Sequence, residues 1–394
     1  MALPIVCIPP VLNGFFEHYR GFFSKPQFEH WRRLVTGLLV SENKTLQEMN
    51  DAFGECDQSS LNRFVTMADF DLEALNNLRL EQVNQSLDLQ RGMLIIDESL
   101  SHHTGRKMEL AGLHRSGVTK QVEWGHNLVN SFFVDAAGNE FPVRTAVYVR
   151  EQDCKERTFK TKRELGIEHL DAAIAAGLPI SVINADAGYE GVEFTRAIME
   201  RDKDFIIGVR VTTKVSRNRN KRVSIDDISQ SVKFNNIIIN NNTYAYHIET
   251  VNLRGIGRVK LVLVRRPDEE EIRAYITSLV EDDKTILTLL IKRWRIECFH
   301  REAKQHVGLE SYQVRKGRGM QVVALAILTA YTLALLATRI LKTPGRALRS
   351  IGEACRYLQL IAYKGVSWIR QKKKDIIQFK TMLERLVFIK TAKA

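Results

Sequence analysis

Three acidic residues stand where their types and surroundings could do chemistry. Asp97 ends the apolar run Met93-Leu94-Ile95-Ile96 and is followed by Glu98. Asp186 ends a second apolar run, Ile180–Asn184, within NADAGYEG. Glu297 lies in a positively charged segment, KRWRIECFHREAK. Carboxylates at the carboxyl ends of neighbouring strands project into one crevice, and a third from a helix can close the cluster. Hard oxygen donors of this kind suit Mg²⁺ or Mn²⁺. Two such ions activate a water or hydroxyl and stabilise the leaving oxygen of a phosphodiester. Each acid alone has a plainer reading. An acidic residue after a strand serves as a turn or cap residue, and Glu297 can pair with Arg293 or Arg301, each four residues away.

The elements that would position these acids follow from the pattern. Residues 26–90 read as helices, with Phe28, Trp31, Leu34, Leu38 and Leu39 at helical spacing. Within them, residues 45–70 resemble two short helices around a glycine turn, a helix-turn-helix-like rhythm. From Arg91 the period changes. Strands are expected at residues 93–97, 122–134 and 140–149, then a helix over 160–176, a strand at 180–184, a helix at 192–201 and a strand at 204–211. That order predicts an α/β fold, a mixed sheet flanked by helices. Residues 212–280 break the pattern with the basic loop KVSRNRNKR and three β-rich segments, so an inserted small sheet is expected. From Asp282, Ile286, Leu289, Leu290, Trp294, Glu297 and Arg301 continue at helical spacing. The division is therefore a helical region 1–90 that could bind DNA, a core 91–211, a β-rich insertion 212–280, a core completion 281–317 and a helical, basic region 318–394.

Composition narrows the function classes. The 394 residues are 44% hydrophobic and 26% charged, which excludes whole-chain disorder. The net charge is +12. Residues 291–394 hold 22 Lys and Arg against 6 Asp and Glu, so the basic excess lies in the last quarter. Such asymmetry points to a polyanion partner. The five cysteines form no C-x-x-C pair, which fits a reducing cytoplasm and no cysteine zinc site. Residues 320–338 carry no charge and are long enough to span a bilayer. Gln321, Thr329 and Thr332 interrupt them, and a buried helix is the preferred reading, with no membrane partner.

Taken together, Asp97, Asp186 and Glu297, with Arg293 four before the glutamate and Lys304 seven after, resemble the DDE transposases of bacterial and archaeal insertion sequences. The likeness is to the group with the signature Y-x₂-R-x₃-E-x₆-K, which here reads Leu290-x₂-Arg293-x₃-Glu297-x₆-Lys304. It covers roughly residues 91–313. The resemblance implies an RNase H-like core interrupted by a β-rich insertion before the glutamate. It implies that Asp97, Asp186 and Glu297 hold two Mg²⁺ or Mn²⁺ ions and that Arg293 and Lys304 hold transposon-end phosphates. It further implies double-stranded DNA partners, terminal inverted repeats and target DNA, and a homodimer acting on paired ends by cut-and-paste transposition. Two positions depart from the group. Leu290 replaces the signature tyrosine, leaving Tyr275 and Tyr312 as substitutes, and residues 212–280 contain no tryptophan, leaving Tyr244 or Tyr246 to stack a base. His126, within WGHN, is a candidate proton shuttle. A catalytically silent DNA-binding protein and an RNase H-like nuclease without strand transfer remain the other readings.

Overall fold

The computed structural model describes residues 4–54, 58–117, 119–154, 157–218, 221–266, 269–343 and 346–363. The basic run Lys372–Lys374 lies outside the described residues.

The amino-terminal part is helical: α1 (Pro10–Phe16), α2 (Lys25–Val40), α3 (Leu46–Phe53), α4 (Gln58–Met67) and α5 (Leu72–Ser86). Local chemistry starts and stops these helices. Ser24 and Gln27 form a reciprocal capping box on α2, and the Asp71 side chain accepts backbone N–H bonds from Glu73 and Ala74 at the start of α5. Gly54 ends α3 at φ +65°, a left-handed conformation suited to glycine.

The central sheet begins with β1 (Gly92–His102), β2 (Gly112–Arg115), β3 (Val122–Asp135) and β4 (Glu140–Tyr148). Helix α6 (Lys162–Ala175) leads to β5 (Ile180–Ala185), and α7 (Val192–Met199) to β6 (Asp204–Val209). Strand β1 is antiparallel to β3 and parallel to β5, β4 pairs antiparallel with β3, and β5 is parallel to β6. The spatial order β4-β3-β1-β5-β6 is that of an RNase H-like core. Its inner strands carry unbroken apolar runs because both faces are covered. Leu94, Ile95, Ile96, Ile183, Ile206 and Ile207 are fully buried.

The segment expected to form a separate small sheet instead continues the core sheet. Its strands are β7 (Lys214–Asn218), β8 (Lys221–Ser224), β9 (Asn235–Ile239), β10 (Asn242–Leu253), β11 (Gly257–Arg265) and β12 (Arg273–Thr277), with α8 (Ile225–Ser231) among them. Strand β12 pairs antiparallel with β6, and the order runs on as β12-β11-β10-β7-β8. Among the described residues this makes one sheet of 12 strands. The outer edge of β6 would otherwise present unpaired backbone groups, and β12 satisfies them.

The chain then forms α9 (Asp283–Ile291), α10 (Trp294–His306), α11 (Gly317–Ile340) and α12 (Ile351–Ala362). Helix α11 contains the long uncharged stretch. It is enclosed by α2, α4, α5, α12 and β4, as the buried-helix reading expects.

One buried cation ties the amino-terminal helices to the sheet. Arg79 of α5 is fully buried. Its guanidinium donates to the carbonyls of Pro142 and Val143 on β4, at 2.8 and 2.6 Å, and to Thr332 Oγ1 of α11 at 2.9 Å. Asn76 Oδ1 accepts two more of its N–H groups. Burial pulls its pKa down to about 10, so it remains charged at neutral pH. Arg79→Ala leaves the β4 carbonyls without these donors and a gap between α5 and α11. We expect a loss of about 2–4 kcal/mol in urea unfolding, with Arg79→Lys recovering only part of it.

Candidate active site

The acids are placed by the ends of pairing. The parallel ladder between β1 and β5 stops at Ile96 and Ala185. Beyond it the two strands diverge, and the next residues are Asp97 and Asp186. Carboxylate oxygens of Asp97, Glu98 and Asp186 all lie within 4.8 Å of one another. Asp186 starts a short 3₁₀ turn and accepts a hydrogen bond from the Gly188 N–H at 2.8 Å. That turn lies against β6. A Cβ on Gly208 would come within 2.6 Å of the Ala187 nitrogen and 3.0 Å of the Asp186 carbonyl carbon, so only glycine fits there.

Helix α10 supplies Glu297. It is fixed on β3 by Phe299 stacked on Phe132, with ring centroids 5.3 Å apart, and by Asn130 Nδ2 in contact with His300 Nε2 at 3.2 Å. Asn130 is the residue opposite Asp97 in the β1–β3 ladder, so this contact brings α10 to the level of the acids. Burial holds His300 down at about 3, and it packs there as a neutral ring.

Glu297 joins Asp97 through Arg293. Arg293 Nη2 donates to Glu297 Oε1 at 2.6 Å, and Nη1 stands 3.5 Å from Asp97 Oδ2. The helix expected from Asp282 tightens at Lys292–Arg293, which keep helical dihedrals while the Arg293 N–H bonds three residues back, and α10 resumes at Trp294. The Arg293 side chain, only 11% exposed, faces the acid cluster. Burial works against its charge, but Asp97, Glu297 and Asp186 outweigh burial and hold the guanidinium more firmly protonated. Tyr275 on β12 is within electrostatic reach of the same guanidinium. Leu290, in the place of the signature tyrosine, is buried.

Lys304 stands apart from the three acids. Its ammonium pairs with Glu310 at 2.5 Å and donates to the Leu100 carbonyl at 3.3 Å. The other sequence candidates also find structural partners. His126 faces Ser101, four ladder positions along from the Asp97–Asn130 pair, which is about 13 Å at strand spacing. It is buried, in contact with Tyr312 Oη at 3.0 Å and the Glu109 carbonyl at 2.9 Å. A proton shuttle to the acids is therefore replaced by a packing role, and Tyr312 is engaged there too. Tyr244 is buried, and Tyr246 is bonded to Asp283. Glu98 was not singled out because alternation along a strand directs it away from Asp97. The end of the β1–β5 ladder is the feature that frees it.

The crowding has an electrostatic cost. Burial, the neighbouring Asp186 and then Glu98 push Asp97 up to about 8, against the pull of Arg293. Hard oxygen donors packed this closely fit a divalent metal ion.

A mixed sheet of RNase H-like order with acids at its strand ends defines a class of nucleic-acid-processing enzymes. The family described as DDE superfamily endonuclease matches residues 18–226, and the transposase DDE domain matches residues 160–333. The chain belongs to the DDE superfamily endonucleases. It is 27% identical over 217 residues to the probable transposase for insertion sequence element IS701 of Microchaete diplosiphon, a match covering 53% of this chain and 57% of that protein. It thus spans little more than half the length of that relative. Its fold is similar to that of the piggyBac transposase in a cryo-EM synaptic complex with hairpin DNA. The TM-score is 0.50 and the identity 11%, over 91% of this chain and 77% of the other.

Two outcomes follow from this geometry. Between its ordinary value of 3.8 and about 8, the folded chain keeps a proton on Asp97 that the unfolded chain has released. Stability of the metal-free protein therefore falls as pH rises through that window. In EDTA, Asp97→Asn should match wild type only near pH 4 and below, and exceed it by on the order of a few kcal/mol at pH 9 in urea unfolding. Separately, Gly208→Ala must push the Asp186 turn away. It should cost about 1–3 kcal/mol of stability, read by urea unfolding.

Proposed function

We propose that this chain is a DNA transposase. It hydrolyses the phosphodiester at an insertion-sequence end and joins the freed 3′-hydroxyl to target DNA. The observation that carries this reading is the meeting of Asp97 and Asp186 at the ends of adjacent parallel strands, with Glu297 tied to Asp97 through Arg293. Asp97, Asp186 and Glu297 are the residues that would hold two Mg²⁺ or Mn²⁺ ions. Such ions, when bound, supply an activated water or hydroxyl and charge stabilisation at the leaving oxygen. Family membership and the likeness to an insertion-sequence transposase support the same assignment.

The chain's own residues set the stage for that step. Arg293 neutralises Asp97 and Glu297, and it offers its guanidinium to a scissile-strand phosphate when the carboxylates take cations. Lys304 reaches a phosphate by exchanging Glu310 for it. The net charge of +12 favours DNA, and binding weakens steeply with salt. Two ends must be cut and joined, so the working form is a homodimer on paired inverted repeats, acting in the cytoplasm.

The test is cleavage of the native element's end DNA with Mg²⁺ or with EDTA. Wild type should cut only with metal. Asp97→Ala, Asp186→Ala and Glu297→Ala should each lose about 10³-fold or more while binding the DNA within a few-fold of wild type. Strand-transfer products separate a transposase from a nuclease that only cuts. Binding without cleavage by wild type in either metal would replace this reading with a catalytically silent DNA-binding protein.

A further inference from the structure

Glu98 is the carboxylate that the sequence pattern leaves outside the site and the structure draws into it. It lies on β1 immediately after the last residue whose parallel partner is Ala185, apart from Asp97 itself. The ladder to β5 has ended by this point, while the pairing with β3 continues. One of its oxygens comes within 4.8 Å of both Asp97 and Asp186, whereas Glu297 reaches Asp97 only through a guanidinium.

The surroundings of Glu98 are incompletely satisfied. Oε1 accepts from Lys162 Nζ, at the first turn of α6, at 2.5 Å. Oε2 is buried and has no hydrogen-bond partner. Beside it stands the hydroxyl of Tyr189, a fully buried side chain, whose one carboxylate within hydrogen-bond reach is Glu98 itself, without a well-formed bond between them. Tyr189 lies in the field of Glu98, Asp97 and Asp186, and its ring is fixed against Phe194 at 5.5 Å. A buried carboxylate oxygen faced by a buried hydroxyl, at the rim of an acid cluster and without a bond of good geometry between them, suits an oxygen that a cation would share.

We propose that Glu98 is a fourth metal-holding carboxylate, binding the divalent ion that Asp97 and Asp186 share. Lys162 is its counter-ion when that ion is absent, and Tyr189 is a positioning residue that donates to Glu98 when the ion orients it. The proposal rests on the metal reading of the site given above. Lys162 gains a consequence from it. Once the ion takes the Glu98 oxygen, the ammonium is released beside the site, where a phosphate of the bound strand can receive it. Its place over the Tyr148 ring, 5.4 Å from the centroid, keeps it from swinging away.

The test is titration of Mn²⁺ into the full-length, metal-free protein without DNA, by calorimetry and by electron paramagnetic resonance of free Mn²⁺. Wild type, Asp97→Asn, Glu98→Gln, Glu98→Asp, Lys162→Met and Tyr189→Phe are compared, with circular dichroism confirming the fold of each. Asp97→Asn should abolish binding at the shared position. Glu98→Gln should weaken it about 10-fold or more, Glu98→Asp should recover part of that, and Tyr189→Phe should weaken it less than Glu98→Gln. Lys162→Met should tighten it several-fold, because a competing cation is gone. That arm reads the role of Glu98 without altering it, even if Glu98→Gln fails to fold. If Glu98→Gln or Lys162→Met leaves Mn²⁺ affinity unchanged while Asp97→Asn loses it, Glu98 serves only its ion pair and the proposal falls, with the metal site intact. If Asp97→Asn binds as wild type does, the metal reading itself falls and takes the proposal with it.

Discussion

Mutual repulsion among carboxylates at the divergence of β1 and β5 is the constraint around which the rest is arranged. A protein without such a cluster would have no reason to bury Arg293 against two acids or to bring Lys162 to the edge of β1. Each cation sits on a different helix, α10 and α6, so the charge balance also fixes where those helices lie against the sheet. Burial first, and then Asp186, push Asp97 up to about 8 against the pull of Arg293. Burial and like charge act in the same direction at this site.

Packing holds these elements in place. The inner strands are apolar on both faces, and α10 is pinned to β3 by an aromatic stack and a neutral histidine rather than by charges. A neutral anchor does not compete for the acids. The glycine at 208 serves the same end from the other side, since it lets the backbone of Asp186 rest on β6. Arg79 does for the amino-terminal helices what these contacts do for α10: it replaces the missing neighbour of β4 with a fork of N–H donors.

Much of this was legible in the sequence. Mostly apolar runs ending in Asp97 and Asp186 gave the strands and their acids, because strands covered on both faces read as near-continuous apolar runs. The β-rich nature of residues 212–280 was visible in alternation, but their union with the core sheet was not, since alternation reports the faces of a strand and never its neighbours. The tightening before α10 escaped notice because the apolar spacing runs through it and Lys292–Arg293 stay helical. Arg293 was expected to hold a phosphate, with a pair to Glu297 as the plainer reading; that pair is present and its second partner, Asp97, was not foreseen. Glu98 escaped because alternation sets it on the face opposite Asp97, and the reach of its longer side chain to within 4.8 Å of both other acids is not visible in the pattern. His126 and Tyr312 stand in the opposite error, since types suited to chemistry turned out to satisfy each other in the core.

The union of the two sheets has a metrical consequence. From β6 outward the chain adds β12, β11, β10, β7 and β8 side by side. Each step is set by backbone hydrogen bonds at about 4.8 Å, so the β7–β8 hairpin with Lys214 and Arg222 stands some 24 Å across from the strand beside Asp186. That separation is counted in strands rather than left to a hinge. The sheet acts as a caliper, whose opening changes only in whole strand widths, and a relative that lost or gained one strand would measure a different span from the same acids.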